Sequence, residues 1–449
     1  MDHLIRFLAE NSHIKYATPS SPEFDSLRLG YILVENVIPA IIVRPQSAED
    51  VAALVSVLTS NDLPFSIRVG GHDLSGRSQV HGAVTIDLRD IAYIHVDDAA
   101  HTARLGGGVL IADLIKELEH HGMVTPTGTI PSVGYVGWAA HGGYGFLSTQ
   151  YGFGADQILG ARVVDCHGQI LDANEDMLTA IRGAGGLLGV IVEVTIKVYP
   201  LDKVLAGVII YESTDLAATI KHYNDQYRQM KSEGFPAALS LYQSVLNGPT
   251  GKAVTILFAW ASSDIDAGWK WLHKLQAWSP VALSTVAPTT MASFTLASEQ
   301  VVPKHAYGTM FTVSVYELTP EIVDVICQYA LLHPNDPSTF LGMHELRSCT
   351  PQPSADSVVC ARSPHFMFEI GATAQARDMV DGAIEWGRAL HGALLQSQPE
   401  NIIPSTYLPL TEPALVDIKA IYGNKFEFLR NMKQQYDPRN VFKHALVQL

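Results

Sequence analysis

The stretch Ile67-Arg68-Val69-Gly70-Gly71-His72-Asp73-Leu74-Ser75-Gly76-Arg77-Ser78 decides how the rest of the chain is interpreted. Residues 63–69, which lead into it, alternate apolar and polar side chains, and this predicts a half-buried strand. The two adjacent glycines allow positive φ and have no Cβ, so consecutive N–H groups can converge on an anion such as a pyrophosphate. The pattern predicts that His72 lies at the mouth of this turn. A simple tight turn with a solvated histidine is the alternative.

A second glycine-rich segment runs from Gly128 to Gly145, and a third covers residues 182–191. Glycine costs conformational entropy on folding, so its concentration has to be explained. Close approach of the backbone to a bulky planar ligand or to its phosphates is one explanation. A set of tight β-turns is the other. No stretch satisfies Gly-x-Gly-x-x-Gly, because Leu188 stands at the third position after Gly185, so a Rossmann dinucleotide site is disfavoured.

Taken together, these segments resemble the FAD-linked oxidases of the berberine-bridge-enzyme-like branch, which belong to the vanillyl-alcohol-oxidase or PCMH-type flavoproteins. The first stretch resembles the Arg-Ser-Gly-Gly-His signature of that family. Residues 182–191 resemble its Arg-Gly-Gly-Gly…Phe-Gly-Val-Val element, with Leu188 in place of Phe. Near the end of the chain, Asp437-Pro438-Arg439-Asn440-Val441-Phe442 resembles its closing signature.

The resemblance implies that FAD is the cofactor and that His72 carries it through a bond to the 8α-methyl carbon. It also implies a set of cofactor-binding residues within the three segments: Arg68, Val69, Gly70, Gly71, His72, Asp73, Ser78, Gly128, Thr129, Gly134, Gly137, His141, Gly142, Gly143, Gly189 and Ile191. No metal site is expected.

Two departures from the family pattern matter. Many relatives attach the flavin a second time through a cysteine, and Ile130 stands at that position here. Because isoleucine cannot form a thioether, we expect attachment through His72 alone, as in the bacterial 6-hydroxynicotine oxidase type. The other departure is Tyr407-Leu408-Pro409-Leu410, where relatives often have an Asn-Tyr pair near the ring.

Three residues are candidates for catalysis. Glu369 matches the region where relatives place carboxylates that face the site, and burial there would raise its pKa and suit it to accept a proton. An outward-facing strand carboxylate is the alternative. Tyr144 lies at the end of the second glycine-rich segment, and it either orients the substrate or packs in the core. Tyr407 is the third candidate, while His344 and Glu345 rank below these three.

The remaining pattern predicts an α+β protein. A two-part FAD-binding domain is expected from residues 1–200 and from a C-terminal return over residues 409–449. Between them, residues 201–408 alternate strands with amphipathic helices, which predicts a substrate domain with an antiparallel sheet backed by helices. Residues 1–38 show no strong periodicity. Ser47 and Asp50 predict a capped helix start, with Val51, Leu54, Val55 and Leu58 on its apolar face.

Composition limits the partners. With 449 residues, a net charge of −15 and no basic surplus, the chain has nothing that would attract nucleic acid or an anionic membrane. The first residues lack the apolar segment of a signal peptide, and a cytoplasmic location is expected. Four scattered cysteines form no Cys-x-x-Cys pair, and free thiols are favoured over a Cys349–Cys360 disulfide.

The leading hypothesis is an FAD-dependent oxidase or dehydrogenase that acts on a small, largely apolar secondary metabolite. It would oxidise a carbon by hydride transfer to flavin N5, with dioxygen as the acceptor and with ring closure as an additional outcome. A redox-neutral isomerase or cyclase that uses the flavoprotein fold as a scaffold is the alternative, and the missing Asn-Tyr pair motivates it. The sequence does not identify the oligomeric state.

Overall fold

The computed structural model describes the chain except residues 75–76, 249–250, 301 and 347–355. Ser75 and Gly76 of the opening stretch, and Cys349, therefore lie outside the described residues. The other three cysteines are free thiols. The described residues form three main sheets and one two-stranded pair. We call these the first sheet, the second sheet and the large sheet, in chain order.

The first sheet contains the strand that leads into the glycine turn. Its strands, in spatial order, are Lys15–Ala17, Ile41–Arg44, Val84–Asp87 and Phe65–Arg68. The last three run parallel. Helix Ala48–Ser60 connects two of them and begins as predicted, because the Ser47 side chain accepts a hydrogen bond from the Asp50 N–H. Its four predicted apolar residues are all buried.

The predicted half-buried alternation is wrong for this sheet. All four residues of Val84–Asp87 are buried, as are three of the four in Phe65–Arg68. Parallel strands that are covered on both faces bury both sets of side chains, so the two-residue period disappears.

The first 38 residues are also more regular than predicted. They contain helix Asp2–Glu10, strand Lys15–Ala17 and helix Phe24–Arg28. Leu4 and Leu8 are buried on one side of the first helix and join the core of the first sheet. Phe7 packs against the same core, so Leu4, Phe7 and Leu8 have the i, i+3, i+4 spacing of an amphipathic helix, and the expectation of no strong periodicity is wrong here.

The second sheet is antiparallel and follows directly in the chain. Its strands are, in spatial order, Ile94–Asp97, Thr102–Gly106, Val190–Lys197, Ile158–Val164 and Ile170–Asp172. Strand Met123–Val124 pairs separately with Tyr199–Pro200. The helices of this region are Ile111–His120, Tyr135–Ala140, Ser148–Tyr151, Gly154–Gln157 and Glu175–Ala184.

The large sheet confirms the predicted antiparallel sheet backed by helices. Its strands are, in spatial order, Val281–Ser284, Val204–Tyr211, Gly251–Trp260, Leu239–Gly248, Phe340–Leu346, His365–Ala374 and Tyr307–Val315, and Ala287–Thr289 pairs with Val204–Tyr211. Every pairing in it is antiparallel. The associated helices are Leu216–Glu233, Ile265–Gln276, Met291–Ala297, Pro320–Leu331 and Val380–Ser397.

The two faces of the large sheet have different neighbours. Side chains from one face, such as Leu241, Met343 and Phe368, form one core with residues of the long helices. We call the opposite face, which carries Tyr242, His344 and Glu369, the front face. Alternation along each strand therefore sends neighbouring residues of one strand into different environments.

The last residues return to the first two sheets. Helix Phe426–Tyr436 buries Leu429 and Met432 in the core of the second sheet, and helix Ile418–Tyr422 precedes it. Asp437 accepts hydrogen bonds from the N–H groups of Val441 and Phe442. The family-like tail is thus an integral part of the fold. The three domain boundaries given above remain a prediction.

A search of the described residues finds no helix that combines the length and the apolar composition needed to cross a bilayer.

Candidate active site

The first two glycine-rich segments meet by direct contact of their backbones. A Cβ on Gly70 would lie 2.5 Å from both the Ser132 carbonyl oxygen and the Gly134 N atom. A Cβ on Gly134 would lie 2.5 Å from the Val69 side chain. Gly71 has φ +73°, a conformation that side chains disfavour. These contacts therefore place the turn after strand Phe65–Arg68 directly against residues 132–134.

Asp73 and Arg68 give this turn its shape. The Asp73 carboxylate accepts hydrogen bonds from the N–H groups of Arg77 and Ser78, at 2.8 and 3.0 Å. Arg68 is buried and donates to the Leu29 carbonyl oxygen. Burial lowers the pKa of Arg68 to about 10, so its guanidinium stays charged at neutral pH. Arg68 thus supplies positive charge beneath the turn, where an anionic group is predicted.

His72 is held between the two segments. Its Nε2 lies 2.9 Å from the Ser132 hydroxyl, and its ring stacks on Tyr31 with centroids 5.2 Å apart. Burial, followed by the nearby positive charge of Arg68, lowers the pKa of His72 to about 4. The imidazole is therefore neutral at physiological pH.

The structure separates the predicted glycines into two groups. Several are glycine because of packing within the protein. A Cβ on Gly128 or Gly143 would crowd Trp138, and one on Gly189 would overlap strand Ile158–Val164. Gly137 is different, since a Cβ there would have no described atom within 4 Å. Gly142, at φ +110°, has only a Val359 methyl group at 3.9 Å.

The surroundings of Gly137 and Gly142 fit a bound cofactor. His141 lies between them in sequence, and its Nδ1 is 2.7 Å from the Gly137 carbonyl oxygen. Its Nε2 is buried and has no hydrogen-bond partner among the described residues. A glycine surface without side chains, beside a buried polar atom that lacks a partner, is what a planar polar ligand requires.

Two predicted binding residues, Thr129 and Ile191, make contacts with residues outside the His72 cluster. The Thr129 carbonyl oxygen accepts a hydrogen bond from Ser298. Ile191 is buried in strand Val190–Lys197, and its carbonyl oxygen lies against Gly107. Their roles at the cofactor remain predictions.

All three predicted catalytic residues come together where residues 141–145 meet the front face, a place we call the junction. Tyr144 donates a 2.6 Å hydrogen bond to Glu369 Oε1, and its ring packs edge-on against Tyr407 at 4.8 Å. Two further side chains complete the cluster. Tyr242 donates to Glu369 Oε2 at 3.2 Å, and His344 Nε2 lies 3.5 Å from the same oxygen.

The expectation of a raised pKa for Glu369 is wrong. Burial does raise it, and this is the largest single influence. However, positive charge on His344 and hydrogen bonds from His344, Tyr144 and Tyr242 together outweigh burial, so the pKa lies below its usual range. The same carboxylate helps burial to raise the pKa of Tyr144 and Tyr242 well above normal. Glu369 is therefore an ionised acceptor surrounded by neutral phenols.

Tyr407 belongs to the site despite the missing Asn-Tyr pair. Its segment forms a short 3-10 helix, Leu408–Leu410, and the Pro409 carbonyl oxygen accepts a hydrogen bond from the Leu74 N–H at 2.9 Å. The Tyr407 hydroxyl lies 3.4 Å from the Trp138 carbonyl oxygen. This segment therefore joins the glycine turn to the junction.

Tyr31, Ser132 and Tyr242 were not predicted as site residues, and His344 was placed below the three candidates although it lies in the same cluster. Strand alternation could have put Tyr242 and His344 on one face, but which face meets the glycine segments depends on the whole fold. Glu345, the neighbour of His344, points into the opposite core, where it accepts a hydrogen bond from Tyr227. Tyr31 reaches His72 because its own N–H donates to the Gly71 carbonyl oxygen.

Comparison with known proteins also indicates an FAD-binding protein. Residues 39–174 match the model of an FAD binding domain, and residues 416–446 match that of the berberine and berberine-like segment. The chain is 29% identical over 434 residues to the FAD-linked oxidoreductase aurO of Gibberella zeae, covering 96% of this chain and 84% of that one.

The chain is also similar to bacterial proteins named as 6-hydroxynicotine oxidases, in sequence and in structure. Over 206 residues, which are 44% of this chain and 45% of the other, the identity to (R)-6-hydroxynicotine oxidase of Paenarthrobacter nicotinovorans is 38%. The crystal structure of 6-hydroxy-D-nicotine oxidase from Arthrobacter nicotinovorans superposes with a TM-score of 0.86 over 97% of both chains, at 24% identity, and so shares the fold. The predicted α+β fold with a PCMH-type FAD-binding part is thereby confirmed. These matches show an FAD binding domain and a berberine-like segment in the chain, which is an FAD-dependent oxidoreductase similar over most of its length to FAD-linked oxidoreductases.

Proposed function

We propose that this protein is an oxidase that holds FAD covalently through His72 alone and oxidises a small, largely apolar secondary metabolite at a carbon next to nitrogen or oxygen. Dioxygen is the proposed acceptor, and ring closure of the product can follow. The observation that carries the proposal is the ionised Glu369, which the phenols of Tyr144 and Tyr242 hold beside the glycine-rich segments.

The chemistry divides between cofactor and protein. FAD, when bound, supplies the two-electron acceptor that takes a hydride from the substrate carbon. Glu369 accepts the proton that the neighbouring O–H or N–H of the substrate loses. Because its pKa is lowered, Glu369 is ionised at neutral pH but is a weak base. Such a base can accept a substrate proton that becomes acidic as the hydride leaves. Such a base does not suit abstraction of a proton from an unactivated carbon.

The walls of the junction favour a flat, mostly apolar substrate. Tyr144, Tyr407 and Met367 contribute to one buried apolar cluster there. With Glu369 as the charged group within this aromatic surface, a hydroxylated aromatic compound or a cyclic amine would find both a stacking surface and one acceptor. The similarity to 6-hydroxynicotine oxidase supports a substrate of this size and type.

Two observations support the single tether. His72 is neutral, as an attacking nitrogen must be, and it lies at the contact of two glycine-rich segments. Ile130, close to Ser132 in the chain, offers no thiol for a second bond.

A first experiment tests the tether. Wild-type protein precipitated with acid should keep its yellow colour, whereas His72→Ala should fold, bind FAD and release it completely into the supernatant. The fraction of flavin absorbance in the pellet is the measurement. Release of all flavin from the wild type would contradict the covalent bond but leave FAD binding intact.

A second experiment tests the redox reaction. The protein is mixed without oxygen with a panel of small phenols and cyclic amines, and the flavin absorbance near the visible maximum is followed. Bleaching by a substrate, reversed on admission of air, supports the oxidase. Product formation with no bleaching would contradict it and would support the isomerase or cyclase alternative instead.

A further inference from the structure

The imidazole of His72 is fixed by two neighbours that the family resemblance did not point to. Tyr31 stacks on the ring with an interplanar angle of 16°. The Tyr31 backbone is in turn fixed, since its N–H donates to Gly71 and its carbonyl oxygen accepts from the Ala306 N–H, both at 2.9 Å. The plane of the His72 ring is thereby set.

Ser132 fixes the remaining freedom of the ring. Its hydroxyl lies 2.9 Å from His72 Nε2, and its own backbone sits against Gly70, where a Cβ would be 2.5 Å from the Ser132 carbonyl oxygen. The Ser132 backbone therefore cannot move away from His72 without separating the two glycine-rich segments.

The neutral state of His72 makes the partner of Nε2 important. A neutral imidazole carries its one proton on either nitrogen, and the Ser132 hydroxyl can bond to Nε2 in both forms. In the form with Nε2–H the hydroxyl accepts this hydrogen bond, and the lone pair lies on Nδ1. Nδ1 is then the nitrogen able to form a bond to carbon.

We propose that Ser132 is a positioning residue for covalent attachment of FAD, acting by holding the His72 ring in place and by accepting the hydrogen bond of its Nε2–H when Nδ1 reacts. The inference rests on the proposed tether. In the attachment, a bond forms between Nδ1 and the 8α carbon, and one C–H bond of the 8α methyl group breaks. The electron pair of that C–H bond reduces the flavin ring, which also takes up the two protons lost from the methyl group and from Nε2. Dioxygen then reoxidises the ring and leaves as hydrogen peroxide.

A hydroxyl group fits both ends of this reaction. Before attachment it accepts the proton of Nε2–H. Afterwards Nε2 carries a lone pair and no proton, and the same hydroxyl can rotate and donate to it. A carboxylate could only accept, and a methyl group could do neither. Threonine should therefore replace Ser132, whereas alanine should not.

The experiment compares the wild type, Ser132→Ala and Ser132→Thr. Each is produced under riboflavin limitation, mixed with FAD in air, and sampled over time for the flavin that remains in the acid-precipitated pellet and for the corresponding mass increase of the protein. Noncovalent FAD binding is followed separately by quenching of tryptophan fluorescence. Loss of one hydrogen bond predicts attachment about three- to tenfold slower in Ser132→Ala, with unchanged noncovalent binding and a wild-type rate in Ser132→Thr.

Equal attachment rates in the wild type and Ser132→Ala would overturn the role of Ser132 while leaving the tether at His72 in place. Equal slowing in Ser132→Ala and Ser132→Thr would also overturn it, because the hydroxyl would then not be the active feature. A wild-type protein that never retains flavin in acid would instead overturn the tether itself and this inference with it.

Discussion

The glycine turn around His72 and the front face around Glu369 are joined through the segment at Pro409, but they position their side chains in different ways. Around His72, backbone contacts between residues 69–71 and 132–134 do most of the positioning. Around Glu369, four side chains from four separate segments converge: Tyr144, Tyr242, His344 and Tyr407. The first arrangement depends on glycines, because any side chain at these positions would prevent the close backbone contacts. The second depends on the register of strands.

This difference predicts different consequences of substitution. A change in the glycine turn should affect folding and cofactor loading together, because the same backbone contacts serve both. A change on the front face should affect turnover while the flavin stays bound. Substitutions in each of the two regions test that separation.

Glu369→Gln should have the largest effect on turnover. The amide keeps the size of the side chain but cannot accept the substrate proton, so kcat/KM should fall roughly 10²- to 10⁴-fold. Glu345→Gln is the matched control, since it changes the neighbouring strand's carboxylate on the opposite face. It should cost stability and leave the kcat of the folded fraction near the wild-type value.

Both variants should retain covalent flavin at the wild-type ratio, measured by absorbance after acid precipitation. If Glu369→Gln turned over at the wild-type rate, proton transfer through this carboxylate would be disproved. If it lost flavin, the proposed separation of the two regions would be wrong.

Gly134→Ala and Gly137→Ala test the two groups of glycines. The added methyl group of Gly134→Ala would overlap Val69, and such overpacking costs about 1–3 kcal/mol of the free energy of unfolding. Gly137 lies within helix Tyr135–Ala140 and faces open space, so alanine there should stabilise the protein without cofactor by about 0.5–1 kcal/mol.

FAD loading distinguishes the two further. We expect Gly137→Ala to load less flavin per protein although it is no less stable, because its methyl group occupies the surface proposed for the cofactor. Thermal unfolding and the ratio of flavin to protein absorbance are the measurements. Full loading of Gly137→Ala would remove Gly137 from the binding surface.

The glycine turn around His72 could be predicted from the sequence more completely than the front face around Glu369. His72 and its glycines lie within continuous segments, so a local pattern was enough to find them. The start of helix Ala48–Ser60 was predicted for the same reason. Tyr31 could not be found in this way, because it reaches His72 only through backbone hydrogen bonds to Gly71 and Ala306.

Glu369 shows the limit most clearly. Its strand and its role as a candidate were predicted, but the direction of its pKa shift was not. That direction depends on a histidine 25 residues earlier in the chain and on two tyrosines, which only strand pairing and the packing of residues 141–145 bring to it. Burial alone, which a sequence pattern can indicate, gives the opposite sign.

Tyr242→Phe should have the smallest effect, and it tests this pKa directly. The Tyr242 hydroxyl stabilises the ionised form of Glu369, so its removal should raise the pKa of Glu369. Because Glu369 must be ionised to accept a proton, the acidic limb of kcat/KM should then move to higher pH. The rate well above that limb should change little, and kcat/KM across the pH range is the measurement.

Gly342→Ala should reproduce this shift with the phenol still present. Gly342 pairs with Glu369 across the sheet, and a Cβ there would lie 1.7 Å from the Tyr242 hydroxyl oxygen, so the alanine must displace that oxygen from Glu369. If both variants move the acidic limb in the same direction, the hydrogen bond is responsible rather than the aromatic ring. A shift in Tyr242→Phe without one in Gly342→Ala would mean that the phenol acts on Glu369 from a displaced position, and the contact at 3.2 Å would not be the cause.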